Sequence, residues 1–144
     1  MNDREIKIKS FIEEMISMQK VFGAAKDSFF KKFGLNRPQI EMLYLISRSG
    51  SVSLREISEK LCTTSGAVSQ LVDGLVQLDF IERIPDEDDR RMVFLKFTES
   101  GLKKFIEFKK EHLLKMSNLL ADLTENELET LLKIQKKIIA RNLK

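Results

Sequence analysis

The chain has 144 residues, 42% of them apolar and 33% charged, with a formal net charge of +3. That is enough for one domain with a core of its own, and the charged fraction exceeds the usual quarter, as long surface helices do. With 6 Gly and 2 Pro an all-β or disordered chain is disfavoured, and no stretch approaches the roughly 18 apolar residues of a membrane span.

The start, MNDREIKIKS, has no apolar h-region and is not a secretory signal. From residue 4 to 33, apolar side chains recur mostly every three or four positions. They include Ile8, Phe11, Ile12, Met15, Ile16, Met18, Phe22, Phe29, Phe30 and Phe33, the pattern of a long amphipathic helix. Gly34 ends it as a C′ glycine does. Asn36, Pro38 and Gln39 then read as a cap, a first-turn proline and a capping box. They start a helix over Arg37–Arg48 that buries Ile40, Leu43, Tyr44 and Ile46 or positions near them and stops at Gly50.

A short extended piece follows, and Ser53 with Glu56 forms a second capping box. The helix it opens carries Leu54, Ile57 and Leu61 on one stripe and is about two turns long, too short to persist unpacked. Thr63 or Thr64 caps the next helix, whose Val68, Leu71, Val72, Leu75 and Leu78 face a core. Its opposite face is small and polar: Ser65, Gly66, Ala67, Ser69, Gln70 and Asp73. Two helices joined by a tight turn, the second with such a leading face, describe a helix-turn-helix.

Ile81–Ile84 and Met92–Phe97 form a hairpin in which Val93, Leu95 and Phe97 alternate toward one face. Its tip is unusual: Asp86, Glu87, Asp88 and Asp89 are followed at once by Arg90 and Arg91. A helix runs from Thr98 to about Ala121, and a capping box of Thr124 with Glu127 opens the last one, with Leu128, Leu131, Leu132, Ile138 and Ile139 apolar. The fold class is mainly α with a small β-hairpin wing.

This middle region has the parts of a DNA reader. A helix fits the major groove, and small polar residues at its leading end let the backbone approach while hydroxyl and amide groups meet base edges or phosphates. A hairpin tip reaches the neighbouring minor groove, where narrow A·T-rich stretches attract arginine. Asp89 and Arg91 are two apart, so near a strand they point to one side. The carboxylate can then hold the guanidinium ready for insertion, leaving Arg90 to meet a phosphate. The expected DNA-binding residues are Thr64, Ser65, Gly66, Ala67, Ser69, Gln70, Asp89, Arg90 and Arg91. Bulk charge does not help them: residues 51–97 hold six Lys and Arg against nine Asp and Glu, so the positive excess lies on the flanks.

From Val52 to Gly101 the chain resembles the MarR family of bacterial transcriptional regulators. The resemblance rests on SLREISEKLCTTSGAVSQLVDGLVQLDFIER and PDEDDRRMVFLKFTESG, in which Asp86, Asp89, Arg90, Arg91, Leu95, Thr98 and Gly101 fit the wing pattern. Terminal helices of matching length extend it over essentially the whole chain. The resemblance implies an obligate homodimer with winged-helix lobes on a helical dimer base, bound to double-stranded DNA at a pseudo-palindromic operator. It also implies release by a small-molecule effector or an oxidant. On this reading residues 36–98 are the winged helix-turn-helix domain, and 1–35 with 99–144 the helical dimerisation region.

The sequence departs from the family's sensors. Peroxide-sensing members carry a reactive cysteine in the first helix, whereas the single cysteine here, Cys62, stands before the second helix of the helix-turn-helix. It reads as a small buried residue, and one cysteine without a disulfide fits a reducing, cytoplasmic setting. His112 is the one histidine, so no metal site is expected. The phenylalanines and methionines of the first helix read as core and dimer packing, with a ligand pocket beside Met42 and Tyr44 as the alternative. No nucleophile–histidine pair or phosphate-cradling glycine loop is present, so neither catalysis nor a cofactor is expected. The competing reading is a winged-helix module that binds protein, which would more naturally expose apolar anchors at the tip.

Overall fold

A computed structural model of the chain describes residues 1–61 and 63–143, with only the backbone of Ser28 and Phe29. The expectations for the side chains of Phe29 and Cys62 therefore lie outside the described residues. In chain order the elements are α1 (Asp3–Phe33), α2 (Arg37–Ser49), β1 (Ser51–Ser53), α3 (Leu54–Lys60), α4 (Ser65–Gln77), β2 (Ile81–Pro85), β3 (Val93–Phe97), α5 (Glu99–Leu119) and α6 (Glu125–Asn142). They make two compact units, Met1–Lys109 and Lys110–Lys144.

Local capping chemistry accounts for most helix starts. Asn36 Oδ1 accepts from the Gln39 N–H, and Gln39 Oε1 accepts from the Asn36 N–H, both at 3.0 Å. Thr124 and Glu127 make the same reciprocal pair at 3.2 and 3.0 Å. Each pair satisfies backbone donors that the first helical turn leaves without partners. Of the two candidate threonines, Thr64 caps α4. The box at Ser53 forms by half: Ser53 Oγ accepts from the Glu56 N–H, and the Glu56 carboxylate takes the Ser53 hydroxyl rather than a backbone donor. Gly34 ends α1 at φ 71°, the left-handed region a side chain disfavours.

The core lies in the first unit. Leu43 and Ile46 of α2, Ile57 of α3, Val68, Val72 and Leu75 of α4, Leu95 of β3, and Phe105 and Phe108 of α5 are all buried. Burying such side chains contributes about 1.5–3 kcal/mol each, which is what holds the two-turn α3 in place. Phe105 stacks on Phe97 at 5.3 Å and meets the edge of Tyr44 at 5.2 Å.

Three expectations about burial need correction. Tyr44 is only half-buried, and Met42 is fully buried instead, because the face α2 turns inward is centred on Met42, Leu43 and Ile46. Leu78 is 38% exposed, because α4 ends at Gln77 and Leu78 is already its C-cap. The hairpin does not alternate cleanly: Leu95 is buried, but Phe94 on the opposite face is half-buried too. A third strand goes with this, since β1 pairs antiparallel with β3, giving the order β1-β3-β2 and setting Ser53 and Ile84 on either side of Phe94.

Two helices keep apolar faces uncovered. On α1, Ile8, Phe11, Ile12, Met15, Ile16 and Met18 are exposed, while Phe30 and Phe33 pack on the core of the first unit. None of the described residues of α6 is buried, and Leu128, Leu132, Ile138 and Ile139 are exposed. No described helix is long and apolar enough to cross a membrane.

Candidate nucleic-acid interface

Helices α3 and α4 are joined at residues 61–64, and the second presents the small polar surface expected of it. Ser65, Gly66, Ser69 and Gln70 are exposed on α4; Ala67 is half-buried at the edge, where with Pro38, Gln39, Thr63 and Gln70 it lines a cavity beside the start of α2. Thr64 Oγ1 accepts from the Ala67 N–H at 3.2 Å, which leaves its own O–H able to donate outward. A Cβ added at Gly66 would meet no atom within 4 Å. Nothing among the described residues requires glycine there, although glycine costs about 1 kcal/mol relative to alanine inside a helix.

Helix α4 is anchored along its length by groups from elsewhere in the first unit. Gln39 Nε2 donates to the Leu71 carbonyl at 3.4 Å. Arg83 of β2 forms an ion pair with Asp73. Past the helix, Asp79 turns the chain at φ 58°, a conformation aspartate tolerates better than most residues. Thr98 then closes that turn, donating Oγ1–H to the Asp79 carbonyl at 2.8 Å and its N–H to the Phe80 carbonyl at 3.1 Å. The same Thr98 oxygen accepts the Gly101 N–H and so caps α5. Lys104 donates to the Leu78 carbonyl at 2.9 Å. One short segment thus fixes both the end of α4 and the beginning of α5.

The hairpin tip brings Asp89 and Arg91 together, but not through strand alternation. Both lie in the connection before β3. The Met92 N–H donates to the Asp89 carbonyl at 2.9 Å, closing a β-turn over Arg90 and Arg91. Asp89 Oδ1 accepts the Arg91 backbone N–H at 3.1 Å, an Asx turn, and also Arg91 Nε–H at 3.2 Å. The Arg91 side chain is 92% exposed. Such a pair adds only about 0–1 kcal/mol to stability, so its consequence is orientation. Asp86 does for the bend what Asp89 does for the turn, accepting the Asp88 N–H at 3.2 Å. Arg90, Glu87 and Asp88 are exposed.

Sequence reasoning placed Asp73 on the polar face and gave Arg83 no role. Their pairing spans ten residues and two elements, and no spacing rule signals it. Charge could have hinted at it, since Asp73 is the only charged residue in α4. Among the described residues no cluster of His, Cys, Asp and Glu could hold a metal ion.

Comparison with known proteins agrees with this geometry. The family model described as MarR family matches residues 35–93, which span α2 to the hairpin. The chain is 28% identical over 107 residues to the HTH-type transcriptional regulator MhqR of Bacillus subtilis, covering 74% of each protein. It is 29% identical over 116 residues to the HTH-type transcriptional repressor MdtR of Bacillus subtilis, covering 78% of this chain and 75% of that one. The crystal structure of the YusO protein from Bacillus subtilis superposes with a TM-score of 0.74 at 25% identity, over 97% of this chain and 99% of the other. Members of this group are regulators that bind DNA and not enzymes. Over residues 35–93, which hold the helix-turn-helix and most of its hairpin, the chain matches the MarR family, and the relatives named here are HTH-type transcriptional regulators.

Proposed function

We propose that the protein is a cytoplasmic repressor that binds a pseudo-palindromic operator as a homodimer and is released by a small ligand. Residues 36–98 are its DNA-binding domain, and residues 1–35 and 99–144 form the dimer base. The observation that carries the reading is the exposed Arg91, held by Asp89 at the tip of a hairpin that directly follows a helix-turn-helix. In this reading Arg91 enters the minor groove and Arg90 meets a phosphate. Thr64, Ser65, Gly66, Ala67, Ser69 and Gln70 lie along the major groove. The dimer is supported by the exposed apolar side chains along α1 and α6, since monomers ordinarily avoid leaving large apolar patches in water.

Selection from random oligonucleotides is the direct test. A two-fold dimer with its recognition helices about one turn apart should enrich an inverted repeat whose half-sites are roughly 10 base pairs apart, with A·T-rich flanks. Enrichment of a single unrepeated site, or a monomer by light scattering at micromolar concentration, would refute it.

Single substitutions separate the parts. Gly66→Ala should raise thermal stability slightly, since the fold leaves space for a methyl, yet weaken operator binding, because the backbone can no longer approach the DNA as closely. Equal affinity in the two proteins would show that this end of α4 stays clear of the groove. Gln70→Ala should change base preference inside the half-site and leave the flanks unaltered. Arg90→Ala should weaken all sequences alike and reduce the slope of log K against log salt by about one charge per subunit. Titrations of one operator and its variants at several salt concentrations report both.

A further inference from the structure

We infer that Asp73 and Arg83 form a specificity-determining pair within the DNA interface, a role that rests on the DNA-binding reading above. Asp73 lies one helical turn beyond Ser69 and Gln70 on the exposed face of α4. It is the helix's only charged residue, and it is negative. A bare carboxylate on a face turned toward phosphates would repel them. Arg83 comes from β2 to meet it, its Nη2–H donating to Asp73 Oδ1.

Neither stability nor packing gives this pair a sufficient purpose. The side chains are 37% and 61% exposed for Arg83 and Asp73, the range in which ion pairs contribute little to folding. What the pair does provide is placement. A guanidinium has five N–H donors in a rigid fork, and engagement of one with Asp73 leaves others directed away from the carboxylate. Arg83 is thereby neutralised as a free-swinging cation and retained as a donor at a fixed point between the recognition helix and the wing. Held there, it contacts one backbone phosphate in a single register, and that register positions Ser69 and Gln70 against the bases. Released, it would bind phosphates wherever it met them.

The test compares wild type, Asp73→Asn, Arg83→Gln and the double variant. Each is titrated with the selected operator and with a scrambled duplex of equal length, at several salt concentrations. Arg83→Gln removes a donor and strips Asp73 of its partner, so operator affinity should fall roughly tenfold. Adding Asp73→Asn to it should recover part of that loss, because the unpaired carboxylate is gone. Asp73→Asn alone should lower the operator-to-scrambled ratio by roughly fivefold, chiefly by strengthening the scrambled complex. Arg83→Lys keeps the charge without the fork, so it should restore scrambled binding and leave the ratio low. Melting temperatures of all four proteins and of Arg83→Lys should stay close together, which a purely structural pair would not allow. An unchanged ratio in Asp73→Asn, or additive effects in the double variant, would overturn the inference. Failure of the wild type to prefer its operator would instead strike the underlying DNA-binding reading.

Discussion

Gly101→Ala is expected to destabilise the protein by roughly 3 kcal/mol, the upper end of overpacking penalties. A Cβ built on Gly101 would lie 1.8 Å from the Phe80 carbonyl oxygen and 2.5 Å from its carbon. Those are backbone atoms, so no rotamer change relieves the clash. Either the start of α5 moves away or the turn after α4 does. In both cases Thr98 loses its bonds to the Asp79 and Phe80 carbonyls, and Lys104 its bond to the Leu78 carbonyl. Because that segment sets the end of the recognition helix, folded Gly101→Ala protein should also bind operator less tightly than its remaining folded fraction predicts. Denaturant unfolding beside Ser100→Ala as a control checks the first part. A midpoint indistinguishable from the control's would mean that α5 and the turn are not in the tight contact described.

Arg91→Ala is expected to leave folding stability within about 0.5 kcal/mol, since the side chain is 92% exposed and its ion pair with Asp89 is a surface one. Its effect should fall on DNA: about 1–3 kcal/mol per half-site on the preferred operator, with the preference for A·T-rich flanks relaxed. A dimer carries the change twice, so the total on an intact operator approaches double that figure. Asp89→Ala should reproduce part of the loss. It removes the acceptor that fixes both the Arg91 backbone and its Nε–H, and so frees the guanidinium without deleting it. If Arg91→Ala binds every flank variant as the wild type does, the hairpin is only a turn.

The site was legible in the sequence to the extent that its chemistry is local. The leading face of α4 could be read because helical period puts Ser65, Ser69 and Gln70 on the side away from Val68, Val72 and Leu75. The Asp89–Arg91 pair could be anticipated because two residues apart is within reach in nearly any backbone conformation. Strand alternation is nevertheless not what brings the two together. An Asx turn inside a β-turn makes the contact, and strand periodicity cannot describe a segment that is not a strand.

The sequence by itself determined where most of the helices begin and where the first one ends, because capping is settled within three or four residues. Asn36 with Gln39, Thr124 with Glu127, and Gly34 need nothing distant to do their work. Only the tertiary structure decided what depends on how elements are placed in space. It paired β1 with β3 across more than forty residues, and it put Met42 rather than Tyr44 in the deepest part of the core. It also brought Arg83 to Asp73 and left no room for a methyl at Gly101. Periodicity tells which side of a helix is apolar. It does not tell what approaches that side, how closely, or which charge will be waiting there.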